Sequence, residues 1–424
     1  MNCITKIVGR EIIDSRGRPT LEVDVTIDHK STGSFIVPSG ASTGFHEAIE
    51  LRDNDPKRYN GKGVLQAVSY VNTVFNKHLC GHDPSCQFRI DEILIEMDGT
   101  KNKSQYGANT ILGISMAVAK AYSLHCQKPL FKTLAQRECY KIPYPMMNVI
   151  NGGAHADNGL DIQEFMICPR HATFRESLRY GSEIFHALKS IIKKNGYQTN
   201  VGDEGGFAPN ISSPLEALDM MSEAVTMTGL TLGQDVTFAL DVAASEFYKD
   251  GYYRTNKSQD KQSIDDMIEF YKKLVQTYPI TSIEDPFDQD DFEGWKTITK
   301  ELNTTLIVGD DIFVTNADRL QMGIDQKIGH AIIIKPNQVG TLTETIKTVE
   351  LAKKNNYCCI ISHRSGESED HFIADLSVAL NADYIKTGGL SRSERICKYN
   401  QLLRIEEKLL KQYTKKEIYN ATLY

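Results

Sequence analysis

The sequence predicts an α/β protein, a (β/α)8 TIM-like barrel preceded by a smaller α+β N-terminal domain. Three observations carry this prediction. Short apolar, β-branched runs recur through the second half of the chain and end on Asp241, Glu284, Asp310, Lys335, His363 and Lys386; such runs suit strands buried on both faces. Successive ends lie roughly 25 to 45 residues apart, room for a helix and a return to a parallel neighbour. At 424 residues the chain exceeds one ordinary core, which leaves a barrel-sized domain after a separate first one.

The elements follow in order. Residues 11–20 read as a strand running into a Gly/Pro turn, and 21–27 alternate apolar and polar residues as a half-exposed antiparallel strand does. A helix over 107–125 presents a packed face of small and aliphatic residues. Strands followed by helices make the first unit α+β. Two prolines, Pro143 and Pro145, mark the passage to the second, with residues 1–138 as the capping domain and 139–424 as the barrel. Helices are expected over 173–194, stopped by Asn195-Gly196, and over 214–227 and 341–354. Residues 161–167 read as a strand carrying Gln163 and Glu164, which as strand neighbours point to opposite faces and share a site only at a bulge or a strand end.

Composition narrows the classes of function. Hydrophobic residues make up 41% and charged residues 24%, as in a soluble globular protein, and the net charge of −7 gives no electrostatic footprint for nucleic acid. No apolar run is long enough to insert in a membrane. The first residues carry no signal-peptide pattern, and nine cysteines without C-x-x-C spacing read as reduced thiols of a cytoplasmic protein.

A barrel puts its catalytic groups where its strands end. Asp241, Glu284 and Asp310 then aim three carboxylates at one region, and such a set repels itself unless a cation sits among them. Hard oxygen donors without His or Cys favour Mg²⁺; the alternative is that each acid caps a helix or pairs with an arginine. Lys335 and Lys386 end strands in apolar company, and a lysine beside another cation has its pKa lowered toward that of a general base. Ser362-His-Arg-Ser-Gly-Glu367 joins a guanidinium, hydroxyls and a Gly turn late in the barrel, where phosphate sites are frequent. Pro38-Ser-Gly-Ala-Ser-Thr-Gly44 is a small-residue loop suited to a lid. Asn151-Gly-Gly-Ala-His-Ala-Asp157 and Val201-Gly-Asp-Glu-Gly-Gly206 let backbone approach a ligand closely, and little bulk flanks Glu204, consistent with a buried carboxyl of raised pKa.

Taken together these motifs resemble the enolase family over nearly the whole chain, from Glu11-Ile-Ile-Asp-Ser-Arg-Gly17 to Asn400-Gln-Leu-Leu-Arg-Ile-Glu-Glu407. The resemblance implies a barrel with an irregular ββαα start and reversible dehydration of 2-phospho-D-glycerate to phosphoenolpyruvate. It implies two Mg²⁺ per site, the first on Asp241, Glu284 and Asp310 and the second, arriving with substrate, on Ser42. By the same resemblance Lys335 removes the C2 proton, while Glu204, supported by Glu164, protonates the departing hydroxyl. His155, Gln163, His363, Arg364, Ser365 and Lys386 then meet substrate. A homodimer or a larger even-numbered assembly is implied as well. Other dehydratases and racemases of the superfamily generally lack the Ser-His-Arg-Ser365 loop and the Gly-Asp-Glu-Gly-Gly206 acid. Enolases also occur on cell surfaces, so a role binding host proteins such as plasminogen is a rival of another class, with Tyr248-Lys-Asp-Gly-Tyr-Tyr-Arg254 its internal candidate segment. The chain departs from the family pattern at Asn54, usually Gly, and at Ser368, commonly Thr.

Overall fold

The computed structural model describes residues 2–40, 44–135, 138–211, 213–255 and 261–419. Strands β1 (Ile4–Ile13), β2 (Pro19–Ile27) and β3 (Ser31–Ile36) form an antiparallel meander. Alternation along β2 does what its pattern predicts: Leu21, Val23, Val25 and Ile27 are fully buried, with half-exposed residues between them. Helices α1 (Leu65–Tyr70), α2 (Asn76–Leu79), α3 (Gln87–Asp98), α4 (Ala108–His125) and α5 (Leu130–Leu134) follow. α4 is buried almost all round because the meander covers one side and the barrel the other. Gly33 makes that approach sterically feasible, since a Cβ there would stand 2.1 Å from the Ala121 nitrogen.

The barrel opens with β4 (Tyr144–Asn151) and β5 (Glu164–Pro169), an antiparallel pair, then α6 (Phe174–Lys194) and α7 (Pro214–Met227). Next come β6 (Val236–Asp241) and a small hairpin, β7 (Tyr248–Lys249) and β8 (Tyr252–Tyr253). Regular units complete the circuit: α8 (Ile264–Thr277), β9 (Ile280–Glu284), α9 (Phe292–Glu301), β10 (Leu306–Gly309), α10 (Ala317–Gln326), β11 (Ala331–Ile334), α11 (Leu342–Lys354), β12 (Cys358–Ser362), α12 (Phe372–Ala379), β13 (Tyr384–Lys386), α13 (Ser393–Leu409) and α14 (Lys415–Ile418). Eight strands close in the order β10-β11-β12-β13-β4-β5-β6-β9. β5 runs antiparallel to both neighbours, so the ββαα opening implied by the resemblance is present.

Side chains alternate between two layers along the strands. Ala331 and Ile333 join Met146, Met166, Val308 and Ile360 inside the barrel, while Ile332 and Ile334 pack outward in the larger core beneath the helices. Helix ends obey local chemistry. The Thr173 and Thr341 hydroxyls accept from the Glu176 and Glu344 amides to start α6 and α11, and α7 begins on Pro214. One expectation is corrected: 161–163 lie outside the strand, which starts at Glu164, so the opposite-face conflict between Gln163 and Glu164 disappears at a strand end. All nine cysteines are free thiols. Among the described residues no helix is long and apolar enough to cross a membrane.

Candidate active site

Strand register sets one half of the site. Glu164 pairs in register with Asp241, and Asp241 with Glu284, so three carboxylates stand side by side at the ends of adjacent strands. Lys386, the last residue of β13, reaches across the barrel mouth to them. Its Nζ lies 2.8 Å from Asp241, 2.9 Å from Glu284 and 3.1 Å from Glu164. Asp310 and Lys335 directly follow β10 and β11 and pair with each other, and the Gln338 amide donates to Asp310 at 2.9 Å. Gln163 Nε2 approaches Asp241 at 3.4 Å.

Loops build the other half. The turn Gly153–His155 carries His155, whose Nε2 meets Ser365 Oγ at 2.8 Å and whose Nδ1 lies 3.6 Å from Glu204. Glu204 accepts from Asn148 Nδ2 at 3.2 Å and from Ser365 Oγ at 3.3 Å, and His363 Nε2 stands 3.4 Å away. Arg364 forks onto Glu47 at 2.9 and 3.2 Å and donates to Asn337 at 3.0 Å. The Ser39 and Gly366 backbones exchange two hydrogen bonds, tying the stem of the 38–44 loop to the arginine loop. Ser42, proposed from sequence as a ligand, lies outside the described residues.

The two halves face one cavity, lined by Lys335, Glu204, Asp241, Asp310, Arg364 and Lys386 among others. Its electrostatics differ from expectation in two places. Burial works against the charge on Lys335, but facing Asp310 outweighs it, so the lysine sits above its ordinary pKa rather than below. Burial likewise opposes charge on Glu204, yet His155, His363 and Arg395 hold its carboxyl well below the usual range, against the expected rise. The rise falls on Glu164, pushed well up by burial and then by the Glu204 charge. Lys386 stays charged, because Asp241, Glu164 and Glu284 outweigh the desolvation that disfavours it.

Does this donor set suit a hard cation? Glu284 is held well above the ordinary carboxylate range by burial and then by Asp241, the mark of charges crowded in a dry place. All the donors are carboxylate oxygens, which fits Mg²⁺. The ammonium groups of Lys386 and Lys335 gather Asp241 and Glu284 on one side and Asp310 on the other. Among the described residues, carboxylate oxygens of Asp285, Asp310 and Asp311 lie within 4.8 Å of one another, as do ligand atoms of His155, Glu164 and Glu204. Asp285 and Asp311 were missed from sequence although each directly follows a predicted strand end. The Asp285 carboxylate accepts from the Asp310 and Asp311 amides at 2.9 Å and so sets the exit of β10. Glu47, Asn148 and Arg395 were missed too, and nothing local in the sequence distinguishes them.

Comparison with known proteins agrees with this geometry. The family model described as enolase, C-terminal TIM barrel domain, matches residues 139–421, and that for the enolase N-terminal domain matches residues 4–134. A protein named enolase from Legionella pneumophila (strain Lens) is 54% identical over 417 residues, covering 98% of this chain and 99% of its own. With a closed barrel whose rim carries the carboxylates, lysines and arginine loop that the family's motifs contain, the chain belongs to the enolase family and is an enzyme of its class, a lyase (phosphopyruvate hydratase).

Proposed function

We propose that this chain carries out the reversible, Mg²⁺-dependent dehydration of 2-phospho-D-glycerate to phosphoenolpyruvate and water in glycolysis. One observation carries the reading: a lysine, a histidine-flanked carboxyl pair, an arginine–serine loop and a crowded set of acids open into the same cavity. Lys335 takes the C2 proton on Nζ, which requires its neutral form and hence that Asp310 turn from it. The C3–O bond then breaks, and the leaving hydroxyl takes its proton from Glu204, which requires that this carboxyl, ionised in the resting site, first be protonated; Glu164 supports it and His155 bounds it. Arg364 and Ser365 suit the phosphate, with Glu47 giving up the fork that an incoming anion takes. Gln163, His363 and Lys386 hold the remaining substrate oxygens.

Asp241, Glu284 and Asp310 are the residues to hold the first Mg²⁺, and Ser42 is assigned to the second. When bound, such ions neutralise the charge that builds on the substrate carboxylate as the C2 proton leaves. The reading also takes residues 1–138 as a capping domain and 139–424 as the catalytic barrel, in a cytoplasmic homodimer or larger even-numbered assembly. For host-protein binding, the hairpin around 248–254 remains the segment to test; its Tyr253 is buried, which leaves Lys249 to Tyr252 as the accessible part. An absorbance assay for phosphoenolpyruvate, run with Mg²⁺ and in excess chelator, tests the core proposal. Turnover is expected only with the metal, and turnover in excess chelator overturns the metal assignment.

A further inference from the structure

We infer that Arg395 is a positioning residue that locks His363 in its neutral Nε2–H tautomer, making His363 a hydrogen-bond donor toward Glu204 and barring it from carrying a proton. This inference deepens the proposed function, since Glu204 is the acid there. Arg395 lies in the first turn of α13 with its side chain fully buried. A guanidinium has five N–H donors, no acceptor and no accessible neutral form. Four of the five are committed to the loops of the site. Nη1 donates to His363 Nδ1 and to the Arg364 carbonyl, both at 2.6 Å. Nη2 donates to the Ser365 carbonyl at 2.6 Å and to the Asp203 carbonyl at 3.0 Å.

This fork leaves the imidazole one choice. Because arginine only donates, Nδ1 of His363 must present its lone pair, and in a neutral ring the proton then sits on Nε2. That nitrogen makes no hydrogen bond as the side chains stand, and the acceptor it faces is a Glu204 oxygen 3.4 Å away. An imidazolium would set N–H against N–H across 2.6 Å. The charges facing the ring are Glu204 and Glu367, which favour the cation, and Arg395, which opposes it; burial is the largest influence and pushes His363 down to about 4. His155 faces the same carboxylate under a softer constraint. Its Nε2 partner is the Ser365 hydroxyl, whose single proton can turn either to Glu204 or to the imidazole, so the His155 tautomer follows that rotor rather than a donor-only guanidinium. Two histidines beside one acid are thus held unequally, and proton exchange with Glu204 is left to the His155 side.

The test is two-bond ¹H–¹⁵N correlation NMR on the folded full-length protein labelled at its eleven histidines, with His363 assigned by the signal lost in His363→Asn. The expected pattern is Nε2-protonated and unchanged from about pH 5.5 to about pH 8.5, the window in which an ordinary histidine titrates. An Nδ1–H pattern, or shifts that titrate in that window, overturns the inference. In Arg395→Lys the cation remains but the fork is gone, so His363 should show mixed or titrating tautomers and turnover should fall about 10–100-fold, as for other groups that orient a site residue. A locked Nε2–H signal in that variant overturns the role of Arg395. If Arg395→Lys does not fold, the wild-type spectrum still decides. No substrate enters the NMR readout, so a wrong reading of the reaction and a wrong tautomer are told apart.

Discussion

The two halves of this site are held by different physics. On the strand side, Asp241, Glu284 and Lys386 are the last residues of barrel strands; register sets the two acids side by side, and Lys386 reaches them across the barrel mouth. On the loop side, Glu204, His363, Arg364 and Ser365 sit on segments that groups from distant elements must clamp: the Arg395 side chain from α13, and the Glu47 side chain and the Ser39 backbone from the N-terminal domain. A strand end inherits its position from the whole barrel. A loop residue owes its position to two or three hydrogen bonds, so it is the easier half to disturb and the easier half to move.

The largest effects should come from one residue in each half. Lys335→Ala removes the proposed base, and both dehydration and exchange of the C2 hydrogen with solvent deuterium should stop. Glu204→Gln spares the proposed base and removes the proposed acid, so dehydration should be lost while exchange persists. General acid–base catalysis contributes about 10²–10⁴-fold, which makes either loss plain by NMR of 2-phosphoglycerate in D₂O. Exchange surviving in Lys335→Ala but absent in Glu204→Gln reverses the two roles.

Asp310→Asn probes the strand side again. It removes one charge from the acid set and the partner of Lys335, so the Mg²⁺ concentration for half-maximal rate should rise about tenfold or more. A titration identical to wild type counts against this ligand. Gly366→Ala tests the clamp of the loop side. A Cβ there would lie 2.5 Å from both Arg16 Nη2 and Asp14 Oδ2 and 2.8 Å from the Ser39 carbonyl. Overpacking of this kind costs about 1–3 kcal/mol, and it should register as lost turnover as well as in a urea melt. The smallest change expected is Ile333→Val inside the barrel. It should cost about 0.5–1.5 kcal/mol in the melt and leave turnover at wild-type level. Equal losses of activity in these last two variants would erase the distinction between the halves.

That distinction also governs what could be read in advance. Asp241, Glu284 and Lys386 were legible because buried parallel strands are apolar runs, and a polar residue ending one stands out. Lys335 and His363 followed from the same rule, each one residue beyond its strand. The fork between Arg364 and Glu47 spans 317 residues of sequence, and no local pattern encodes it. The directions of the Lys335 and Glu204 pKa shifts were misjudged for the same reason: burial was inferable from small neighbours, but the partners, Asp310 for one and two histidines with Arg395 for the other, come from other elements. Gln163 and Glu164 looked incompatible only while the strand was taken to begin at 161. Asn54 adopts φ 57, the left-handed region that asparagine tolerates, so its departure from the family's usual glycine fits the backbone there.

Closure of the barrel rests on β13, whose Lys386 pairs in register with Met146, roughly 240 residues earlier in the chain. During synthesis, then, β4 waits for its second neighbour until almost the entire protein has emerged. The same late segment brings Lys386 to Glu164, Asp241 and Glu284, and Arg395 follows nine residues after it. Until that segment docks, the acids at the barrel mouth lack their ammonium partner and the histidine loop lacks its clamp. A chain truncated before β13 is therefore expected to be an open, self-repelling sheet rather than a weakened enzyme, and a ribosome-bound intermediate of that length is where a chaperone has most to protect.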